Sequence, residues 1–170
     1  MKTNTFTKFI CALMALLCAA VAFTACNSDD DVKDGENSSS PFSIVYKNVT
    51  IKLDADAKNV LSALGEPKSA DNLGDCGGIG VQTKYEYDDI SVNTLKEKDG
   101  EKIHKIALLN DLVSTSRGIS IGADEASVRE AYGKPSAEEN GKLIYKSGNL
   151  ELEFTLKGGS VSAINYRRIV

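Results

Sequence analysis

The sequence predicts an α+β fold: two tandem repeats, each a short strand, one helix and about three antiparallel strands, sharing one core. Three observations predict it. A helix ending is written twice, as "VLSALGEPKSAD" at 60–71 and "VREAYGKPSAEE" at 128–139. Each ending is followed by short runs that alternate apolar and polar residues, the signature of half-buried strands. Between those runs stand turn signals: "NG" at 140–141, "SGN" at 147–149 and "KGGS" at 157–160.

The elements follow in order. At an offset of 68, Ile51, Leu53 and Ala55 align with Ile119, Ile121 and Ala123, giving each unit a short strand. Asp56 and Asp124 come next, carboxylates placed to accept from the free N–H groups of a helix start. Val60, Leu61 and Leu64 make one apolar helical face, and Val128, Ala131 and Tyr132 make the other. Gly65 and Gly133 stand where a left-handed C-cap is wanted, and Pro67 and Pro135 forbid continuation. In the strands beyond, the offset is 58: Tyr87 aligns with Tyr145, Ile103 with Val161, Ile106 with Ile164 and Leu108 with Tyr166. "LELEFTL" at 150–156 alternates without a fault, and "KYEYD" and "ISVNT" alternate as well. The fall from 68 to 58 gives the first unit ten extra residues, within the glycine-rich "KSADNLGDCGGIGVQTK". Either unit alone would bury little surface and be marginal, so the two are expected to pack together.

The front of the chain carries an address. Lys2 and Lys8 precede an uncharged, largely apolar run from Phe9 to Ala25, which describes a secretory signal. The run is short for a spanning helix, which needs about 20 apolar residues. "FTAC" at 23–26 resembles a bacterial lipobox, departing from it in Phe23 where leucine is usual. The resemblance implies a signal peptide over 1–25 and lipidation of Cys26, fixing the mature chain to a membrane face outside the cytoplasm. Firm anchoring takes more than one acyl chain. Residues 26–41 are then a lipidated cysteine and an acidic tether, with almost nothing apolar to bury. Its "SDDD" reads as a solvated spacer, and also resembles a surface-export signal of Bacteroidota lipoproteins. Residues 42–113 and 114–170 form the two repeats.

Without the signal the chain has a net charge of −6, with no basic stripe, which argues against a nucleic-acid partner. Two of the four cysteines leave with the signal and lipid consumes Cys26, so Cys76 has no disulfide partner.

A short strand, a capped helix, "G-x-P" and three strands together resemble the small SmpA/OmlA (BamE-like) lipoproteins. The tandem form resembles the β-lactamase-inhibitor-protein fold. Ile121, Gly122, Asp124, Val128, Gly133 and Pro135 carry the match in the second unit. The first unit departs, with Asp54 in place of the glycine and the ten-residue insertion. The resemblance implies a non-enzymatic, protein-binding habit and names no partner.

Tests for chemistry return little. "DADAKN" at 54–59 fails as a calcium loop, with Asn59 where glycine and Gly65 where glutamate would be needed. "GDCGGIG" lacks a phosphate-binding context and a Walker lysine. His104, the only histidine, reads as a solvent-facing strand residue, too few ligands standing with it for zinc. Asp71 and Asp75 would raise the Cys76 thiol pKa, favouring an inert small residue over a reactive one. Neither a cofactor nor a metal is expected, and the chain is expected to be a monomer. The favoured function is an envelope-anchored module that binds another protein. The candidate contact loop is Asp71, Asn72, Asp75, Cys76, Gly77 and Gly78 with Tyr85, chosen because packing explains what the two units share and not where they differ. Two alternatives stand: a small-ligand or thiol-active protein using the Cys76 loop, and an extracellular inhibitor.

Overall fold

The computed structural model describes residues 42–75 and 78–170. The sequence-based fold class is corrected: the molecule is mostly β, dominated by one continuous antiparallel sheet rather than by paired helix-and-strand units. Strands β1 (Ser43–Tyr46) and β2 (Val49–Lys52) form a separate two-stranded hairpin. Helix α1 (Ala57–Leu64) leads into β3 (Ser69–Asp75), β4 (Val81–Glu86), β5 (Ile90–Glu97) and β6 (Gly100–Leu108). Helix α2 (Glu125–Tyr132) leads into β7 (Ala137–Glu139), β8 (Lys142–Ser147), β9 (Leu150–Lys157) and β10 (Ser160–Arg168). The eight strands β3 to β10 lie in the order β3-β4-β5-β6-β10-β9-β8-β7.

Two physical facts produce the correction. The edges of β6 and β10 pair, Ile164 opposite Leu108 through to Arg167 opposite Lys105, so what reads as two sheets is one. And β3 has no alternation to betray it. At the sheet edge most of its side chains are exposed, so "SADNLGD" reads as loop while its backbone pairs with β4 from Ser69–Glu86 to Asp75–Val81.

The local signals behave as the chemistry requires. The Asp56 carboxylate accepts from the Asn59 N–H at 3.1 Å, and Asp124 from the Ser127 N–H at 2.7 Å. Gly65 and Gly133 end their helices at φ 77° and 76°, each donating its N–H to the carbonyl four residues back. The tyrosines after each helix finish the cap: Tyr87 donates to the Gly65 carbonyl at 3.4 Å and Tyr145 to that of Gly133 at 3.2 Å. These carbonyls lie at helix C-termini, where acceptors lack intrahelical partners.

One face of the sheet is buried. Val92, Ile106, Ile164, Leu152 and Phe154 point into a single apolar cluster with Ile44 and Ile51 of the hairpin, Val60 and Leu64 of α1 and Val128 of α2. The other face is polar. One register row across it reads Lys84, Asn93, Lys105, Arg167, Glu151, Lys146. Glu151, polar in the alternating pattern, is buried beneath its cations: Arg167 Nε donates to Oε1 at 2.7 Å and Lys146 Nζ lies 3.5 Å from Oε2.

Arg168 ends β10 on the buried side. Its side chain, 7% exposed, is ion-paired with Asp54 and with Glu97. Asp54 has φ 68°, the left-handed region where Asp is one of the few tolerated residues besides Gly. Gly122, its aligned partner, has φ 95° and no such cation to meet. The departure of Asp54 from the glycine pattern thus places a carboxylate against a buried guanidinium.

Because one cluster spans both halves of the sheet, calorimetry of the intact chain should show a single unfolding transition. Asp54→Asn with Glu97→Gln should cost about 3 kcal/mol by leaving the buried guanidinium without a counter-charge, and Asp54→Asn alone, which keeps the backbone conformation accessible, about 1 kcal/mol. A loss below about 1 kcal/mol for the double variant would assign the stability of this corner to its apolar contacts.

Candidate functional site

The ten extra residues of the first half are not a loose loop. Asp71 pairs with Lys84 in β3–β4, as Glu139 pairs with Lys142 in β7–β8. In the second hairpin the chain turns at once, through Asn140 (φ 51°) and Gly141 (φ 73°), a two-residue turn of the kind favoured between twisted strands. In the first hairpin residues 72–83 intervene, ten more than in the second, and β3 reaches seven residues where β7 has three.

Side chains within this extension hold it. Asn72 has its Oδ1 2.8 Å from the Gly74 N–H, closing the bulge where the register shifts between Asn72 and Gly74. Asp75 Oδ1 accepts from the Gly80 N–H at 3.1 Å across the tip. Gly80 itself cannot be replaced cheaply. At φ 121°, an added Cβ would come within 2.9 Å of the Lys96 carbonyl oxygen, so the tip lies hard against β5. Asp71 accepts from Ser69 Oγ at 3.0 Å. Cys76 and Gly77 lie outside the described residues, as does Cys26; Gly78 has φ 76°.

Beneath the hairpin, on the side of the sheet that carries the core, is an open cleft of about 500 Å³. Asn72 and Tyr85 line it, so two of the predicted contact residues meet there, while Asp71 and Asp75 instead serve the hairpin's own structure. Val81, Thr83, Lys96, Glu97, Lys98, Gly100 and Glu101 complete the wall and were not singled out from sequence as site residues. Their convergence follows from register: Thr83 is opposite Asn72 in β3 and Thr94 in β5, and two residues further along β5 Lys96 is opposite Glu101. The two carboxylates here are already engaged. Glu97 pairs with Arg168, and Glu101 accepts from Thr94 Oγ1. Burial, and then the Glu101 carboxylate, push the Tyr85 phenol above its ordinary range, so it stays a neutral donor at physiological pH. The hairpin also concentrates exposed apolar surface: Leu73, Ile79 and Val81 are each about two-fifths exposed.

His104 departs from its expected solvent-facing position. It is the extra residue of a β-bulge in β6, where consecutive Asn93 and Thr94 oppose Lys105 and Ile103, and its ring is only partly accessible. Burial, followed by the neighbouring Lys105 charge, lowers its pKa. Among the described residues no group of three His, Cys, Asp or Glu side chains could hold a metal ion, and no helix is long and apolar enough to cross a membrane.

No family model and no curated protein matches the chain. Among solved structures it is similar to a DUF4309 family protein (YjgB) from Bacillus subtilis subsp. subtilis strain 168. The identity is 16%, covering 67% of this chain and 78% of that one, with a TM-score of 0.39.

The depressed pKa of His104 gives a pH signature. Between the ordinary value of 6.5 and its lower folded midpoint, the unfolded chain binds a proton that the folded chain refuses. Stability should therefore decline as pH falls through 6.5 and level off below the folded midpoint, and His104→Gln should remove that step. An NMR titration placing the imidazole midpoint at or above 6.5 would contradict the assignment.

Proposed function

We propose that the chain is a lipid-anchored extracytoplasmic protein of the bacterial envelope that binds another protein, without catalysis, through the β3–β4 hairpin and the cleft beneath it. The observation that carries this is the hairpin extension: ten residues beyond the point where the second hairpin turns, tied at its tip and bearing exposed apolar side chains. Surface extensions on rigid scaffolds are where binding concentrates, and an apolar cluster exposed on one is a contact surface in waiting. Tyr85 adds a large ring with a hydroxyl donor, a residue type favoured at interface centres. Among the described residues β3 is an edge strand of the sheet, the kind of element to which an extended partner segment adds. The anchor rests on the "FTAC" sequence, and the protein-binding habit agrees with the resemblance to small envelope lipoproteins.

The register prescribes the test. Deleting residues 72–81 joins Asp71 to Gln82 and leaves Gln82-Thr83 as a two-residue turn before Lys84; changing these to Asn-Gly copies the other hairpin. The shortened protein should keep its fold by circular dichroism and lose capture of envelope partners that the parent retains in crosslinked pull-downs. Equal capture by both would move the interface off the hairpin. In parallel, Cys26→Ser should end fatty-acid incorporation, and label entering this variant would remove the lipid anchor from the reading.

A further inference from the structure

On the opposite half of the molecule the side chains make a different surface. Between the end of α2, the start of β7 and the end of β8 lies a notch of about 220 Å³. Two cationic side chains line it, Arg117 and Lys134, with the Lys146 backbone beside them and no carboxylate, on a chain whose net charge is negative. We propose that this notch binds an oxyanion group, such as a phosphate, sulfate or carboxylate carried by a ligand.

Arg117 and Lys134 form no ion pair among the described residues, whereas the Lys146 ammonium is turned to Glu151 on the polar face of the sheet. Glu138, nearest in sequence, is held by Arg129 through both carboxylate oxygens, at 3.0 and 2.8 Å. Glu151 takes its short contact from Arg167 and leaves Lys146 a longer one at 3.5 Å. Arg117 is pre-positioned: one guanidinium nitrogen donates to the Ala131 carbonyl at 2.7 Å and the group lies over the Tyr132 ring at 4.9 Å. Stacking and a backbone bond fix its plane and leave other N–H groups for a ligand, the fork geometry that oxyanions favour. Ser136 Oγ accepts from the Lys146 N–H at 3.1 Å, so its own hydroxyl proton is left to donate. A site with fixed donors, an aromatic wall and two cations loses little on ordering when an anion enters.

The test uses the full chain, isotopically labelled, in neutral detergent at constant ionic strength, because screening alone would mimic weak binding. Inorganic phosphate is titrated first; anionic phosphatidylglycerol is then added to the micelles in its absence. Saturable shifts of the Ser136, Lys146 and Ser147 amides with phosphate establish a site for a soluble oxyanion. Shifts with the lipid alone establish a headgroup site. In either case Arg117→Gln/Lys134→Gln should weaken half-saturation about tenfold while leaving the rest of the spectrum in place. No saturable shift with either probe, or equal shifts in parent and variant, overturns the proposal.

Discussion

Everything in this molecule hangs on the pairing of β6 with β10. Four residue pairs, from Ile164–Leu108 to Arg167–Lys105, make one eight-stranded sheet out of two four-stranded meanders. Neither meander has enough apolar surface of its own. Joined, they set Ile106, Ile164 and Tyr166 side by side with no solvent exposure, and the helices and the β1–β2 hairpin close over that line. Each fully buried aliphatic side chain of this kind contributes about 1.5–3 kcal/mol, so the seam is where the stabilising area concentrates. It also removes two sheet edges that would otherwise invite pairing with other chains.

The seam carries a cost on its polar face and a reinforcement on its buried one. Arg167 and Lys105 are directly opposed, and like charges in that position repel. The buried Glu151 offsets this by taking Arg167 to its own side at a distance of 2.5 Å. On the other face the next residue, Arg168, reaches past the end of the seam to Glu97 and Asp54. Successive residues of one strand thus perform opposite tasks, as the period of two requires. The chain before α1 is held there too, through the Asp54 N–H to the Ile103 carbonyl at 2.8 Å, so the corner ties β2, β6 and β10 together.

What could be read from the sequence is what acts over a few residues. Asp56, Asp124, Gly65 and Gly133 do their work within one helical turn, and the composition shows it. The Asn140-Gly141 turn is as plain. What could not be read is what depends on which edges meet. The β6–β10 pairing involves segments with the same alternating pattern as any other strand, and nothing local distinguishes a seam from a free edge. Arg168 and Asp54 stand 114 residues apart, so the reason for an aspartate at a glycine position is visible only in space. β3 shows a third kind of failure: an edge strand with exposed faces has no burial to write into its sequence. The candidate site was legible to the same extent. Asn72, in an insertion that marks itself, and neighbouring Tyr85 both line the cleft, whereas Thr83 and Glu101 come to it only through register.

The two halves of the sheet are most informative where they disagree. Helix caps, cap-closing tyrosines and core positions recur because packing imposes the same demands on both sides of the seam. The outer hairpins face solvent and are free of those demands. One stops at a two-residue turn; the other continues for ten residues, spends Asn72, Asp75 and Gly80 on holding its shape, and leaves apolar side chains in water. A neutral insertion has no reason to be tied down, since long surface loops cost little entropy per added residue. Here Asn72 and Asp75 are instead bonded within the extension and the backbone at Gly80 lies close to β5, so the described part of it is held by its own side chains and by the sheet.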